Sequence, residues 1–303
     1  MNISPNTKEL VVIAGPTASG KTALAVQLAK KLDTSILSAD SRQCFKEMNI
    51  GVAKPTAAEM QGIPHYFIDS HSITEDVNAG MYEQYGLDIL GKIFKEKNNA
   101  VAVGGTGLYI KVLCEGLDNM PNIDKVLRDR IVSQYENFGL SWLQNQVMEK
   151  DPQYWNHTPE KENPQRLMRA LEVMETTGKS ILEYRSNTEK KRCFRIRKFA
   201  IEWPRKQLYE RIDQRIDQMV ENGLLDEVRK LYAYKHLNAL QTIGYSEMFC
   251  FLENKTDLKT AVEKIKTNTR HYAKRQMTWF KRDPGIEWLQ PSQIPGFIDS
   301  FTA

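Results

Sequence analysis

The sequence predicts an α/β fold, a parallel sheet flanked by helices with an all-helical subdomain inserted into it. Three observations carry that prediction. Short apolar runs alternate with helical periodicity through the first third of the chain. A glycine-rich turn joins the first run to the first helix. From about residue 122 to 192 the chain is helical and polar, with no strand-like run.

Leu10–Ala14 is a continuous apolar run ending at glycine, the form of a strand buried on both faces. Lys21–Leu32 reads as a helix with Leu24, Ala25, Leu28 and Ala29 on one side. Ser35–Ala39 and Ala100–Val103 read as further buried strands, with a helix over Ala79–Phe94 between them. The insertion is placed at 121–193, leaving 1–120 and 194–303 as the α/β core. Within the insertion, Asn163-Pro164 opens a helix whose apolar stripe is Leu167, Ala170, Leu171 and Met174, and Gly178 is placed to end it. A β-like run returns at Phe199–Trp203. Leu208, Ile212, Ile216 and Val220 then mark a helix that stops at Gly223. A last helix spans Asp257–Lys281, with Leu258, Val262, Ile265, Tyr272 and Phe280 on its stripe and Lys266, Arg270, Lys274 and Lys281 on another side.

With 303 residues, 41% hydrophobic and 26% charged, the chain has the composition of a globular protein. No apolar run approaches the roughly 20 residues of a membrane span, and MNISPNTKEL carries no leader-like apolar core. Cys44, Cys114, Cys193 and Cys250 form no CxxC pair and no zinc-finger spacing, so a reducing cytoplasm is expected. His65 and His71, lacking a third ligand, read as structural. The net charge is only +4, but Lys264–Arg282 holds seven bases and no acid, and Lys190–Lys198 holds six more. Clusters of that kind point to an anionic macromolecule at a defined surface, or to solvated helix faces.

Gly15, Pro16, Thr17, Ala18, Ser19, Gly20, Lys21 and Thr22 fit G-x-x-x-x-G-K-[ST] in full, directly after a buried strand and before a helix. Backbone amides and the helix N-terminus converge on phosphate oxygens there, Lys21 adds charge, and the Thr22 hydroxyl can complete the coordination of a phosphate-bound magnesium ion. The core is therefore P-loop NTPase-like, with a nucleotide-binding (ATP-type) motif. The run at Ala100–Val103 ends in Gly104-Gly105 rather than in the acid that a phosphoryl-transfer site expects. The run that does end in an acid is Ser35–Ala39, at Asp40. A carboxylate there lies where parallel sheets place ligands, and it also reads as a helix N-cap with Gln43 closing a capping box.

GPTASGKT at 15–22, DSRQ at 40–43, GxAKP at 51–55 and GGTGLY at 104–109 are followed by Asn163-Pro-Gln-Arg-Leu, Ile243-Gly244-Tyr245 and Ala273-Lys-Arg-Gln-Met-Thr-Trp279. This series resembles the tRNA dimethylallyltransferase (tRNA isopentenyltransferase) family over about residues 9–290. The resemblance implies transfer of the dimethylallyl group of dimethylallyl diphosphate to N6 of the adenosine just 3′ of the anticodon of tRNA. The P-loop would then hold a diphosphate leaving group, with Mg2+. It implies Asp40 as general base, Thr17 and Thr106 as hydroxyls near the reacting groups, and Lys21 and Arg128 at the diphosphate. It further implies tRNA contacts at Asp40, Ser41, Arg42, Gln43, Thr106 and Arg128, and in the insertion at Gln165, Arg166, Leu167, Met168 and Arg169. Two more contact stretches follow: Gln241, Thr242, Ile243, Gly244, Tyr245 and Ser246, then Lys274, Arg275, Gln276, Met277, Thr278, Trp279, Phe280 and Lys281.

A base in a stacked loop must be extracted to expose N6. Gln43, Arg166, Tyr245 and Trp279 offer stacking faces or forked donors for that, although Tyr245 and Trp279 read equally as core aromatics. The chain departs from the family at Cys44-Phe45, where an apolar residue and a tyrosine are usual, and it lacks the C-terminal zinc finger of eukaryotic members. A compact, monomeric, cytoplasmic bacterial form is expected. The rivals are a small-molecule or nucleoside kinase, an isopentenyltransferase acting on free adenine nucleotides, and a non-catalytic RNA-binding module.

Overall fold

A computed structural model describes residues 8–185 and 188–301. Residues 1–7, most of the stretch read for a leader, lie outside the described residues. In chain order the elements are β1 (Glu9–Ala14), α1 (Lys21–Lys31), β2 (Ile36–Ser38), α2 (Ala57–Met60), β3 (His65–Tyr66), α3 (Ala79–Glu96), β4 (Asn99–Val103) and α4 (Gly107–Glu115). Then come α5 (Lys125–Lys150), α6 (Pro152–His157), α7 (Pro164–Thr177), β5 (Arg195–Ile201), α8 (Arg205–Glu221), α9 (Leu224–Leu231), α10 (Tyr245–Leu252), α11 (Leu258–Phe280), β6 (Ile286–Leu289) and α12 (Ile294–Asp299).

The described strands form one six-stranded sheet in the order β3-β2-β4-β1-β5-β6, every pairing parallel. The apolar runs are buried on both faces, as a parallel sheet covered by helices requires. On one face Leu24, Ala25, Leu28 and Ala29 of α1 pack on Val11, Ile13, Val101 and Phe199, joined by Phe297 and Phe301 near the C-terminus. On the other, α3 and α4 pack together, with Tyr82 stacked on Tyr109 at 4.2 Å. β5 starts four residues earlier than the run at 199–203 and ends at Ile201. Trp203 therefore falls beyond it, and its indole donates to the Ser19 carbonyl (2.9 Å).

Chain contacts separate two units, one formed by Met1–Gly116 with Lys191–Ala303 and one by Leu117–Lys190. The second has its own core, with Ile131, Leu143, Val147, Tyr154, Leu167, Ala170 and Leu171 buried. α5 breaks at Gly139, which takes the left-handed φ of 76°. α7 opens on Asn163, whose side chain accepts from the Arg166 amide, and closes on left-handed Gly178. Its buried face includes Val173, whereas Met174 is half-buried.

The two basic clusters require correction. At 190–198, Arg192 donates to the Val112 and Leu113 carbonyls and pairs with Glu83, Arg195 and Arg197 flank Glu9, and Lys198 pairs with Asp283 and Glu115. Four of its six bases are thus engaged within the protein, while Lys190 and Lys191 are exposed. On α11, Lys266 pairs with Asp217 (2.7 Å), Arg270 with Asp213 (3.0 Å from Nε) and Lys281 with Glu202 (2.9 Å). The exposed bases of α11 that carry no ion pair among the described residues include Lys274 and Arg275, so the positive face is smaller than the sequence suggests.

Candidate active site

In the α/β unit a cavity of about 530 Å³ opens at the carboxyl ends of β1, β2 and β4, where the three strands run into the P-loop, Asp40 and Gly104-Gly105. Gly104 is required for this convergence: a Cβ there would stand 2.1 Å from the Ala39 carbonyl oxygen. With the chains so close, Ala39 donates to the Val103 carbonyl (2.7 Å) and Thr106 donates back to the Ala39 carbonyl (3.2 Å).

One end of the cavity is cationic. Lys21 Nζ donates to the Pro16 carbonyl (2.5 Å). Burial, and then the neighbouring Arg215 guanidinium, pull the Lys21 ammonium down to about 7, against the opposing pull of Asp40. Arg215 reaches in from α8 to the Thr17 hydroxyl (3.5 Å) and the Ala53 carbonyl (3.4 Å). It is half-buried, desolvation lowers its pKa, and it has no ion-pair partner among the described residues. Cations drawn out of water are ordinarily paired, so two half-buried ones side by side in a cavity wall mark a place built for an anion. Ser19 Oγ, buried within the loop and without a hydrogen-bond partner among the described residues, is a further orphan at this end.

The other end is set by Asp40. Its Oδ1 accepts the amides of Arg42 (2.9 Å) and Gln43 (3.2 Å), forming a turn over 41–44. No helix starts there, and the Gln43 side chain goes instead to the Val52 and Ala53 carbonyls (3.2 and 3.1 Å), so the capping-box reading is corrected. Asp40 Oδ2 makes no hydrogen bond among the described residues, and Asp40 lines the cavity. Thr106 Oγ1 accepts from the Ser41 amide (3.1 Å) and lies 3.4 Å from Ser41 Oγ. Tyr272 hydrogen-bonds Thr106, and burial followed by the Asp40 charge pushes its hydroxyl up to about 12.

Gln276 ties the two ends together, accepting from the Thr17 amide (2.9 Å) and donating to the Gly105 carbonyl (2.9 Å). It is buried, so it is a brace and its side chain is not on offer to RNA. The same correction holds for Tyr245 and Phe280, which are buried, and for Leu167 and Met168, which lie in the helical core. Trp279 packs on Gly107, where a Cβ would come within 2.2 Å of the indole. Thr242, Ile243, Gly244 and Ser246 line the cavity, whereas Gln241, also at its edge, donates to the Lys235 carbonyl (2.6 Å). Lys274, Arg275 and Thr278 border a shallow depression with His271 and Arg282, and Met277 is half-buried. In the helical unit Arg128 lies 3.8 Å from Glu172, Arg169 pairs with the same carboxylate (3.2 Å), Arg166 pairs with Glu160, and Gln165 is exposed.

Sequence reasoning missed Arg211 and Arg215. Arg211 donates to the Ala18 carbonyl (2.8 Å) and stacks on Trp203. The only local sign was two arginines four residues apart beside the Leu208–Ile216 stripe. Among the described residues no three His, Cys, Asp or Glu side chains are grouped to hold a metal ion. The donor set instead suits an ion carried in by a ligand's phosphates, to which the Thr22 hydroxyl, in the cavity wall, adds one oxygen.

Residues 43–283 match the family model described as IPP transferase. A tRNA dimethylallyltransferase of Cytophaga hutchinsonii is 45% identical over 95% of this chain and 94% of its own. A tRNA dimethylallyltransferase 1 of Bacteroides thetaiotaomicron is 43% identical over 94% and 92%. Among solved structures, the tRNA isopentenylpyrophosphate transferase of Bacillus halodurans aligns with a TM-score of 0.71 at 32% identity, over 96% of this chain and 95% of that one. A eukaryotic dimethylallyltransferase captured acting on tRNA aligns with a TM-score of 0.78 at 27% identity, over 94% and 74%.

Proposed function

The chain belongs to the IPP transferase family, and from that membership we propose that it moves the dimethylallyl group of dimethylallyl diphosphate to N6 of the adenosine 3′ of the anticodon in tRNA, releasing diphosphate. One observation carries the reading: Lys21 and Arg215, neither in an ion pair among the described residues, share a cavity with Asp40, a carboxylate that has one oxygen unengaged. A kinase reading finds no acid after β4, where Gly104-Gly105 stands.

The P-loop amides, Lys21 and Arg215 bind the diphosphate and, being preorganised, stabilise the negative charge that grows as the allylic C–O bond breaks. Magnesium, held by that diphosphate and the Thr22 hydroxyl, supplies further charge neutralisation when bound. Asp40 orients the exocyclic amine and, as N6 bonds to carbon, accepts its proton, so the nitrogen gains the prenyl carbon and the diphosphate leaves with the C–O electron pair. Thr106, fixed by Ser41 and Tyr272, supports that end. The exposed Lys274 and Arg275 and the helical unit, which spans Leu117–Lys190 rather than 121–193, with Arg128, Gln165, Arg166 and Arg169, serve the tRNA backbone and loop. Among the described residues no helix is long and apolar enough to cross a membrane, and we assign the enzyme to the cytoplasm as a monomer.

The test is incubation with labelled dimethylallyl diphosphate and Mg2+ in the presence of either tRNA or AMP. Label in tRNA is expected. Label in AMP alone moves the assignment to a free-nucleotide enzyme, and label in neither refutes it.

A further inference from the structure

Two of the sequence motifs meet behind the site rather than inside it. Tyr245, from Ile243-Gly244-Tyr245, is fully buried with its ring under Gly51, the first residue of GxAKP. A Cβ on Gly51 would lie 2.5 Å from the ring. Between the two motifs stands Glu227 of α9, which belongs to neither. Its Oε2 accepts the amides of Asn49 (3.1 Å) and Ile50 (2.8 Å). Its Oε1 accepts the Gly51 amide (2.9 Å) and the Tyr245 hydroxyl (2.6 Å). One carboxylate thus gathers three successive backbone donors and a phenol, charge-assisted bonds of the stronger kind. Tyr245 is held from behind, since Glu247 accepts the Gly244 amide (2.8 Å) and the Asn268 amide nitrogen (2.6 Å).

The loop fixed in this way continues into Val52 and Ala53, whose carbonyls take both hydrogens of Gln43 Nε2. An amide nitrogen held between two carbonyls settles which end of the side chain is which. Gln43 lines the cavity, its Oε1 accepts no hydrogen bond among the described residues, and its backbone amide is on Asp40.

We propose that Glu227 is a positioning residue: by gathering the 49–51 amides and Tyr245, it sets the Val52 and Ala53 carbonyls that hold Gln43 Oε1 beside Asp40 as a second acceptor for the amino group of the target base. This rests on the adenine-acceptor reading above. A base bearing an amine satisfies both acceptors, whereas one bearing a carbonyl at that position leaves two acceptors facing an oxygen.

The test is single-turnover transfer to tRNA by wild type, Glu227→Gln, Gln43→Ala and the double variant. Misplacement of a reacting group by about 1 Å costs on the order of a hundredfold, so Glu227→Gln should slow transfer by about ten- to a hundredfold. Its KM for dimethylallyl diphosphate should stay within about threefold. In the Gln43→Ala background the same change should cost less than about threefold, because the route through Gln43 is already cut. Should Glu227→Gln not fold, Tyr245→Phe removes one donor of the four and carries the same cycle at about two- to tenfold. A wild-type rate in Glu227→Gln, or an equal loss in both backgrounds, overturns the proposal and leaves the transferase reading standing. An inactive wild-type enzyme removes both.

Discussion

Replacing Gln276 with leucine keeps the volume of the side chain and deletes both of its hydrogen bonds. The two partners lose different amounts. Gly105 is buried, so its carbonyl is left without solvent and costs about 1–3 kcal/mol. The Thr17 amide borders the cavity, where water replaces the lost acceptor, and costs about 0.5–1.5 kcal/mol. The α/β unit should therefore lose about 1.5–4.5 kcal/mol. Native-state hydrogen exchange of the β1 and β4 amides reads that loss without mixing in the helical unit. Diphosphate affinity should fall as well, since the loop is no longer tied to the turn after β4. Gln276→Glu keeps the acceptor for Thr17 but sets a carboxylate oxygen against the Gly105 carbonyl, so it should cost at least as much. A leucine variant within about 0.5 kcal/mol of wild type, binding diphosphate normally, would refute the bracing argument.

Asp40→Asn keeps the oxygen that accepts the Arg42 and Gln43 amides, so the turn survives while basicity is lost. Single-turnover transfer should fall by about 10²–10⁴ with tRNA affinity within about tenfold, and an unchanged rate would reduce Asp40 to a turn former. Lys21 in the free enzyme titrates at about 7, and an anion raises that value, so diphosphate binding takes up a proton above it. Affinity measured by calorimetry should therefore be flat below about pH 7 and weaken by up to tenfold per unit above it; the same slope in Lys21→Arg would assign the proton elsewhere. Lys274→Ala with Arg275→Ala should flatten the salt dependence of tRNA binding by about one unit per side chain, whereas Lys266→Ala, whose cation faces Asp217, should leave the slope unchanged.

What the sequence discloses here is what local pattern encodes. The run at 10–14, the P-loop after it and the helix from Lys21 are contiguous, so strand, turn and anion site are read together. The same holds for the helix beginning at Asn163-Pro164. β3 has two residues and β6 four, too short for a period to register, and only pairing across the sheet makes them strands. Arg211 and Arg215 look like solvated bases because the loop they serve lies about two hundred residues earlier. For the same reason Lys266 and Arg270 read as a free positive face, since Asp217 and Asp213 lie on a different helix. Tyr245 and Trp279 each read as base contact or core; burial under Gly51 decides Tyr245 for core, whereas Trp279 covers Gly107 and stays half-exposed beside Lys274 and Arg275.

The position of β1 in the sheet has a consequence in time. It lies between β4 and β5, and β5 follows the whole helical insertion in the chain. β1 ends at Ala14 and β5 opens at Arg195, so a ribosome adding about 5–20 residues per second takes about 10–40 s to deliver the second neighbour. Through that interval a strand whose last five residues, LVVIA, are all apolar keeps at least one row of backbone donors and acceptors open, the arrangement that templates pairing with other chains. The emerging helical unit, with a core of its own, is complete before the sheet can close. Aggregation during synthesis should thus depend on how quickly Arg195–Ile201 arrives, and slowing translation between residues 117 and 194 is where it would rise first.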